Sequence, residues 1–175
     1  GVAGLYLGGG YPELFARELS DNSCLRASIS AAIQAGLPTI AEGGGFMYLH
    51  EHMAGLPQCG VIPGGVTASD RLQHFGYISL QAREDNLLSK AGELIRAREF
   101  HYWQSDNPGA GFTAKKAGRD LTYDTIHATA SLYAGFPQLY LPANPDFAHS
   151  FVAKMRDYAG GGPAAGSPGV WQKDE

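Results

Sequence analysis

The sequence predicts an α/β protein with a doubly wound parallel sheet and a β-rich middle section. Short apolar strands are indicated at 2–7 and 37–41, and each leads through a run of glycines into a helical pattern. Strands that alternate with helices in this way build parallel sheets. Between 72 and 131, apolar and polar residues alternate instead, which is typical of antiparallel hairpins with one buried face.

Composition restricts the functions open to this chain. Its 175 residues, 44% of them hydrophobic, are enough for one domain with a core. A formal net charge of −4 argues against nucleic-acid binding, which usually needs a basic surface. No apolar run approaches the roughly 20 residues of a membrane span, and no signal-peptide pattern is found. We therefore expect a cytoplasmic protein without nucleic-acid or membrane partners.

The first third of the chain indicates two helices between its strands. Pro12 and Glu13 suit the first turn of one helix. Asn22 is expected to cap the next, which Gly36 ends. Its apolar face is predicted to hold three residues at helical spacing: Leu25, Ile29 and Ile33.

Apolar patterns in the rest of the chain predict further strands and a last helix. Strands are predicted at 72–81, 95–103 and 122–131, and an apolar run at 132–141 follows. Asn144, with proline and an acid after it, is expected to start a last helix. Four residues are predicted to line its apolar face: Phe147, Phe151, Met155 and Tyr158.

One domain and a tail are expected. Residues 1–158 should form the domain, and 159–175, rich in Gly, Pro, Ala and Ser, a flexible tail.

The stretch from 37 to 49 is the most informative in the chain. An apolar strand breaks into glycines 43–45, and a helix follows with Phe46, Met47 and Leu49. Strand, sharp turn and helix make a nucleophile elbow, in which one side chain is held above the sheet. The adjacent N–H groups then bind an anion or oxyanion. Gly43, at the tip, has no side chain and cannot be the nucleophile.

Several segments in order resemble one family, the C-terminal amidotransferase domains of cobyrinic acid a,c-diamide synthases. They are 8–15 (GGGYPELF), 41–49 (AEGGGFMYL), 60–64 (GVIPG), 72–77 (LQHFGY) and 99–102 (EFHY). The resemblance extends to the last helix. It implies a flavodoxin-like class I glutamine amidotransferase fold that begins one strand and one helix into the family domain.

The resemblance also implies a division of labour. In the family, an ATP-dependent N-terminal domain activates carboxylates of a corrinoid precursor, and the C-terminal domain hydrolyses glutamine to ammonia. ATP and Mg therefore belong to a synthetase domain that this chain lacks, and the chain itself needs no cofactor. The implied partners are that synthetase domain or subunit and glutamine.

The resemblance implies where the catalytic residues of the family fall in this sequence, and different residues stand at those positions. The family elbow reads Ala-Glu-Cys-Gly-Gly, and its cysteine falls on Gly43. The two histidines of a late His-x-His segment fall on Gln138 and Tyr140. Glutaminase chemistry needs a thiolate nucleophile and a histidine that moves its proton. We therefore expect no glutaminase activity.

Other positions keep the residues that binding would need. Gly44 follows the nucleophile position, and Gly9 and Gly10 can supply further N–H groups to an oxyanion hole or to glutamine. Glu42 is expected to orient a glutamine-like ligand or, as an alternative, to act as a cap or salt-bridge partner.

Glu99 and His101 belong to the EFHY motif of the resemblance. They are expected on the substrate side, with a structural role for His101 as the alternative.

No other residue is expected to replace the lost pair. Cys24 and Cys59 match no metal or redox spacing and are expected to be core-facing thiols. The remaining histidines suggest no metal site: His50 and His52, expected to face solvent, and His74, His127 and His149.

Two functions remain open at this point. The first is an amidotransferase-type domain of a cobyrinate diamide synthase homologue without glutaminase activity of its own. The alternative is a non-catalytic binding or scaffold module that keeps the fold.

The start of the chain generates a first prediction. If 2–7 is a central strand of the family sheet, its uncovered edge and apolar face favour association. We expect the isolated chain to form a homodimer, the commonest assembly, or to pair with a polypeptide that carries the missing strands. Size-exclusion chromatography with light scattering measures this, and a stable monomer would show that the strand is not central.

Overall fold

The structure is a computed structural model that describes residues 1–160. Its strands are β1 (Leu5–Leu7), β2 (Thr39–Glu42), β3 (His50–Met53), β4 (Leu56–Pro57), β5 (Ile62–Ala68), β6 (His74–Ala82), β7 (Leu94–His101), β8 (Trp103–Ser105), β9 (Phe112–Lys116), β10 (Thr122–Thr125), β11 (His127–Ala128), β12 (Leu132–Gly135) and β13 (Gln138–Leu139). Its α-helices are α1 (Ala16–Asp21), α2 (Ser23–Gln34), α3 (Gly44–Leu49) and α4 (Pro145–Tyr158), with 3-10 turns at Pro12–Phe15 and Leu141–Ala143.

A parallel sheet forms the centre of the molecule. Its strand order is β1-β2-β12-β11, and the first three strands run parallel. Ile40 of β2 lies between Tyr6 on one side and Tyr133 on the other. All residues of β2 and β12 are buried, as expected for parallel strands covered on both faces. The predicted α/β class is confirmed.

One face of this sheet is covered by the helices that follow β1 and β2. Ala41 and Ala134 belong to a core that includes Phe46 and Leu49 of α3, with Ile33 of α2. A smaller sheet of order β4-β3-β5-β8 continues this layer.

The other face is covered by the β-rich middle section. Five strands form an antiparallel sheet of order β10-β9-β6-β7-β13. Ile40 and Tyr133 pack into its core together with Phe112 and Phe147, the latter from α4. The predicted antiparallel middle is therefore present, and its buried residues alternate along β6 and β7.

Two predicted helix starts have the expected caps. The Asn22 side chain accepts a hydrogen bond from Leu25 N–H at 3.2 Å. The Asn144 side chain accepts one from Asp146 N–H at 3.3 Å. Both helices begin where their capping residue predicts.

Several sequence expectations were wrong in position. The strand predicted at 122–131 divides at Ile126, a buried residue with a positive φ of 73°. There the chain leaves the antiparallel sheet and β11 joins the central one. β3, β4 and β9 were not predicted, because short strands with several polar residues carry little periodic signal.

Two side chains have the opposite burial from that expected. His50 is buried, because α3 ends at Leu49 and the chain turns directly into β3. Its Nδ1 lies 3.0 Å from Phe46 O and its Nε2 lies 2.8 Å from Ser105 Oγ. Cys24 is exposed, since α2 buries only Ile33 fully.

β1 lies at the edge of the central sheet. Among the residues described it pairs with β2 alone, and Tyr6 is half exposed. Within 1–160, no helix is both long and apolar enough to span a bilayer. Most of the predicted flexible tail, 161–175, lies outside the described residues.

Candidate functional site

The turn between β2 and α3 has the geometry of a nucleophile elbow. Gly43 adopts φ 52° and ψ −110°, a conformation that favours glycine. Its N–H donates to Gly135 O at 2.9 Å, and its own carbonyl accepts from Met47 N–H at 3.1 Å. The backbone of the turn is therefore fixed between β12 and the first turn of α3.

The first glycine loop packs directly on this turn. Gly45 N–H donates to Gly8 O at 3.1 Å, and a Cβ at Gly45 would overlap the Leu7 carbonyl. A Cβ at Gly44 would lie 3.0 Å from Gly10 O. Only glycine allows the backbone to approach this closely. Both glycine runs are therefore required for the contact between the first glycine loop and the elbow turn.

A cavity of about 120 Å³ opens at this contact, and we call it the elbow pocket. It brings together five of the predicted site positions: Gly10, Gly43, Gly44, His101 and Gln138. Gly9 borders it, because a Cβ there would lie 2.7 Å from Gln138 Nε2. Residues far apart in the sequence thus line one small volume.

Gly43 and Gln138 face each other across the elbow pocket. A Cβ at Gly43 would lie 3.5 Å from Gln138 Nε2 and 3.7 Å from Gly9 Cα. A nucleophile and a base at these two positions would therefore be neighbours. A carboxamide cannot take a proton near neutral pH, and glycine offers no nucleophile.

The elbow pocket keeps hydrogen-bond donors. Among the described residues, neither Gly10 N–H nor Gly44 N–H has an acceptor. Backbone N–H groups of this kind stabilise a carbonyl oxygen or an oxyanion. The pocket can therefore receive a polarised C=O group, and no cysteine, serine or threonine of the described residues lines it.

Glu42 does not line the elbow pocket. Tyr6 Oη donates to its Oε2 at 2.5 Å, and Leu139 N–H donates to its Oε1 at 2.8 Å. Burial raises the pKa of the Glu42 carboxyl, and these two hydrogen bonds oppose the rise. Glu42 thereby joins β1, β2 and β13, and it fixes the backbone beside Gln138.

His101 forms a wall of the elbow pocket. Its ring stacks on Phe136 with centroids 3.8 Å apart, and its Nδ1 lies 2.7 Å from Trp103 O. Burial lowers the His101 pKa to about 4, with smaller contributions from the charges of His74 and Lys116. The imidazole is therefore neutral near pH 7.

Glu99 and Tyr140 do not line the elbow pocket. Glu99 lies in a second cavity of about 340 Å³, where Tyr123 Oη donates to its Oε2. Burial raises the Glu99 pKa. Tyr140 is exposed and lines a separate groove on the antiparallel sheet with Arg96 and Arg98.

Sequence reasoning missed part of the lining. Phe136 and Trp103 line both cavities. Their one available signal was adjacency, since Phe136 precedes Gln138 by two residues and Trp103 follows the EFHY motif.

Neither Cys24 nor Cys59 lines the elbow pocket. Cys59 is buried, and burial raises its pKa to about 11. Its thiolate is therefore scarce at neutral pH. Within 1–160, no group of three His, Cys, Asp or Glu side chains could hold a metal ion.

Residues 1–124 match the model of the CobB/CobQ-like glutamine amidotransferase domain. The chain belongs to this family. The match includes both glycine runs and the EFHY motif, and it ends before the segment that carries Gln138.

Relatives at about one-third identity support the family. Cobyrinate a,c-diamide synthase of Methanothermobacter thermautotrophicus is 36% identical over 161 residues, 90% of this chain and 36% of that protein. The enzyme of the same name from Caldanaerobacter subterraneus is 34% identical over 81% of this chain and 33% of that protein. Hydrogenobyrinate a,c-diamide synthase of Streptomyces coelicolor is 35% identical over 89% and 32%. The chain spans about a third of the length of these curated relatives.

A solved structure supports the fold. PurLQS from Thermotoga maritima superimposes with a TM-score of 0.57 over 89% of this chain and 79% of that chain, at 14% identity. The predicted class I glutamine amidotransferase fold is confirmed.

Glu42 generates a stability prediction. Glu42→Ala leaves Tyr6 Oη and Leu139 N–H without their acceptor. We expect the free energy of unfolding to fall by about 2–4 kcal/mol in urea denaturation. Glu42→Gln is the matched control, because its amide can still pair with both groups and should cost less. An equal loss in the two variants would contradict this role.

Urea denaturation of the unmodified chain and of Glu42→Gln over a range of pH tests the pKa of Glu42. A carboxyl with a raised folded pKa is more protonated in the folded than in the unfolded state. Its contribution to stability is therefore complete below the unfolded pKa, about 4.3, and declines as pH rises through the folded pKa. Glu42→Gln should lack this part of the decline.

Proposed function

We propose that this chain is the amidotransferase-type portion of a cobyrinate a,c-diamide synthase homologue and has no glutaminase activity of its own. The relatives that bear that name support the enzyme class. The proposed absence of glutaminase activity rests on the elbow, where Gly43 faces Gln138 in place of a nucleophile and a base.

The proposal assigns the rest of the reaction to protein that this chain does not span. ATP and Mg would act in a synthetase domain or subunit, which would activate a carboxylate of a corrinoid or other tetrapyrrole acid. Nitrogen would come from free ammonia or from another glutaminase. Cobalamin biosynthesis in the cytoplasm is the corresponding cellular role.

Glutamine turnover tests the lost chemistry. We expect no glutamate above background when the purified chain is incubated with glutamine. Gly43→Cys with Gln138→His should restore measurable turnover, because a Cβ at Gly43 would make only ordinary van der Waals contacts and would lie beside residue 138. The cysteine would cost about 1–3 kcal/mol of stability at this backbone conformation, so circular dichroism must confirm folding.

The two single variants are the controls and should stay inactive. Turnover by the unmodified chain that survives replacement of both Cys24 and Cys59 would overturn the proposal. A folded double variant that binds glutamine without turnover would show that residues 43 and 138 are not the lost pair.

A second candidate is a glutamine-binding module without catalysis. The unpaired N–H groups of Gly10 and Gly44 in the elbow pocket favour it. Calorimetric titration with glutamine distinguishes the candidates: binding without hydrolysis supports a sensor, whereas no binding favours a structural partner of the synthetase domain.

A further inference from the structure

One wall of the second cavity holds a serine that is hydrogen-bonded to a buried histidine. Ser105, the last residue of β8, lines this cavity of about 340 Å³. Its Oγ lies 2.8 Å from Nε2 of His50. A nucleophile and its general base need a heavy-atom distance of about 2.6–3.2 Å. Ser105 and His50 therefore have the spacing of a serine nucleophile and its base, and the proposed function uses neither residue.

The backbone decides which nitrogen of His50 can accept a proton. Its Nδ1 lies 3.0 Å from Phe46 O, and a carbonyl oxygen only accepts, so Nδ1 carries the proton of the neutral ring. Nε2 is then the acceptor, and the Ser105 hydroxyl donates to it. Burial lowers the pKa of His50, so the ring is neutral near pH 7, while the charge of Asp106 acts in the opposite direction and favours the imidazolium.

Both members of the pair are held in place. The ring of Phe46 meets the ring of His50 edge-on, with centroids 4.5 Å apart. On the other side, Asn107 N–H donates to Ser105 Oγ at 2.9 Å. A hydroxyl has one proton and two lone pairs. With the proton on His50 and one lone pair on Asn107 N–H, a second lone pair of Oγ is left to attack a carbon atom.

A second serine of the chain shows that the turn around Ser105 does not require a histidine. Ser69 Oγ accepts a hydrogen bond from Arg71 N–H at 3.2 Å, two residues on, as Ser105 Oγ does from Asn107 N–H. Its other partner among the described residues is the side-chain amide of Gln73, at 2.7 Å. The turn therefore accounts for the contact of Ser105 with Asn107, but not for its contact with the histidine.

The rest of the cavity suits a small uncharged ester. Trp103, Pro108 and Phe136 give it apolar walls. Thr125 adds a hydroxyl, which can donate to a carbonyl oxygen on which negative charge develops. Pockets of this size hold small molecules and fix them with a few polar groups. The lining thus offers room for a short acyl group beside the serine.

We propose that Ser105 and His50 hydrolyse small uncharged carboxylic esters in the second cavity. Ser105 Oγ bonds to the carbonyl carbon of the ester while its proton passes to His50 Nε2. The bond from that carbon to the alcohol oxygen then breaks, and the alcohol leaves with the proton. Water attacks the acyl-serine and gives a proton to Nε2, the carboxylic acid leaves, and the proton returns to Ser105. The inference goes beyond the proposed function, because no step uses glutamine, Gly43 or Gln138.

Two measurements on the whole chain test this activity. A fluorophosphonate reacts preferentially with a serine that a base activates, and peptide mass spectrometry locates the label. We expect the label on Ser105 and none on Ser69. The second measurement follows the hydrolysis of p-nitrophenyl acetate. We expect Ser105→Ala and His50→Gln each to lower kcat/KM about a hundredfold or more, because each removes one partner of the proton transfer.

Ser69→Ala is the matched control. It removes a hydroxyl from the same kind of turn outside the cavity, and it should hydrolyse the ester as the unmodified chain does. Circular dichroism must confirm that each variant is folded. The labelling measurement needs no variant, so it decides the matter even where a substitution at the buried His50 prevents folding.

The proposal is overturned if the unmodified chain is not labelled at Ser105, or if folded Ser105→Ala hydrolyses the ester as fast as the unmodified chain. Labelling of Ser105 without ester turnover would also overturn it, because the proposed step is hydrolysis. Glutaminase activity in the unmodified chain would instead refute the proposed function and leave this result unaffected.

Discussion

The close contact between two glycine runs is the constraint on which the site depends. Gly45 packs against the carbonyl of Leu7, and its N–H is bonded to Gly8 O. Any side chain at Gly45 would separate β1 from the start of α3. Because β1 and β2 are parallel neighbours, their carboxyl ends meet at one edge, where ligands bind in open α/β sheets. The elbow pocket is the space left at that edge.

Residues that stabilise the central sheet and residues that line the elbow pocket occupy different parts of the sheet. Glu42 lies on the face of the antiparallel sheet, where it ties β1 and β13 to β2 through Tyr6 and Leu139. The glycines of the elbow pocket lie at the end of the strands. Gln138 is placed at that end by β13, whose partner β7 also ends in His101. His101, at the end of β7, lines both cavities, whereas Gln138 of the edge strand β13 lines the elbow pocket.

The shape of the elbow pocket depends on the backbone more than on the side chains at positions 43 and 138. Positions 43 and 138 hold Gly and Gln, and neither side chain can act as a nucleophile or as a base. The N–H donors of Gly10 and Gly44 belong to the backbone, so the fold maintains them whatever stands at those two positions. The fold alone therefore maintains a pocket with donors for a carbonyl group.

The sequence by itself determined the fold class, the elbow, the helix caps at Asn22 and Asn144 and the absence of a nucleophile at Gly43, because these follow from local spacing and residue type. Only the tertiary structure decided which distant residues share a wall. Strand pairing between β7 and β13 brings His101 near Gln138, and no periodicity encodes that register. The burial of Glu42 and the unpaired Nε2 of His101 likewise depend on packing between layers, which local sequence does not specify.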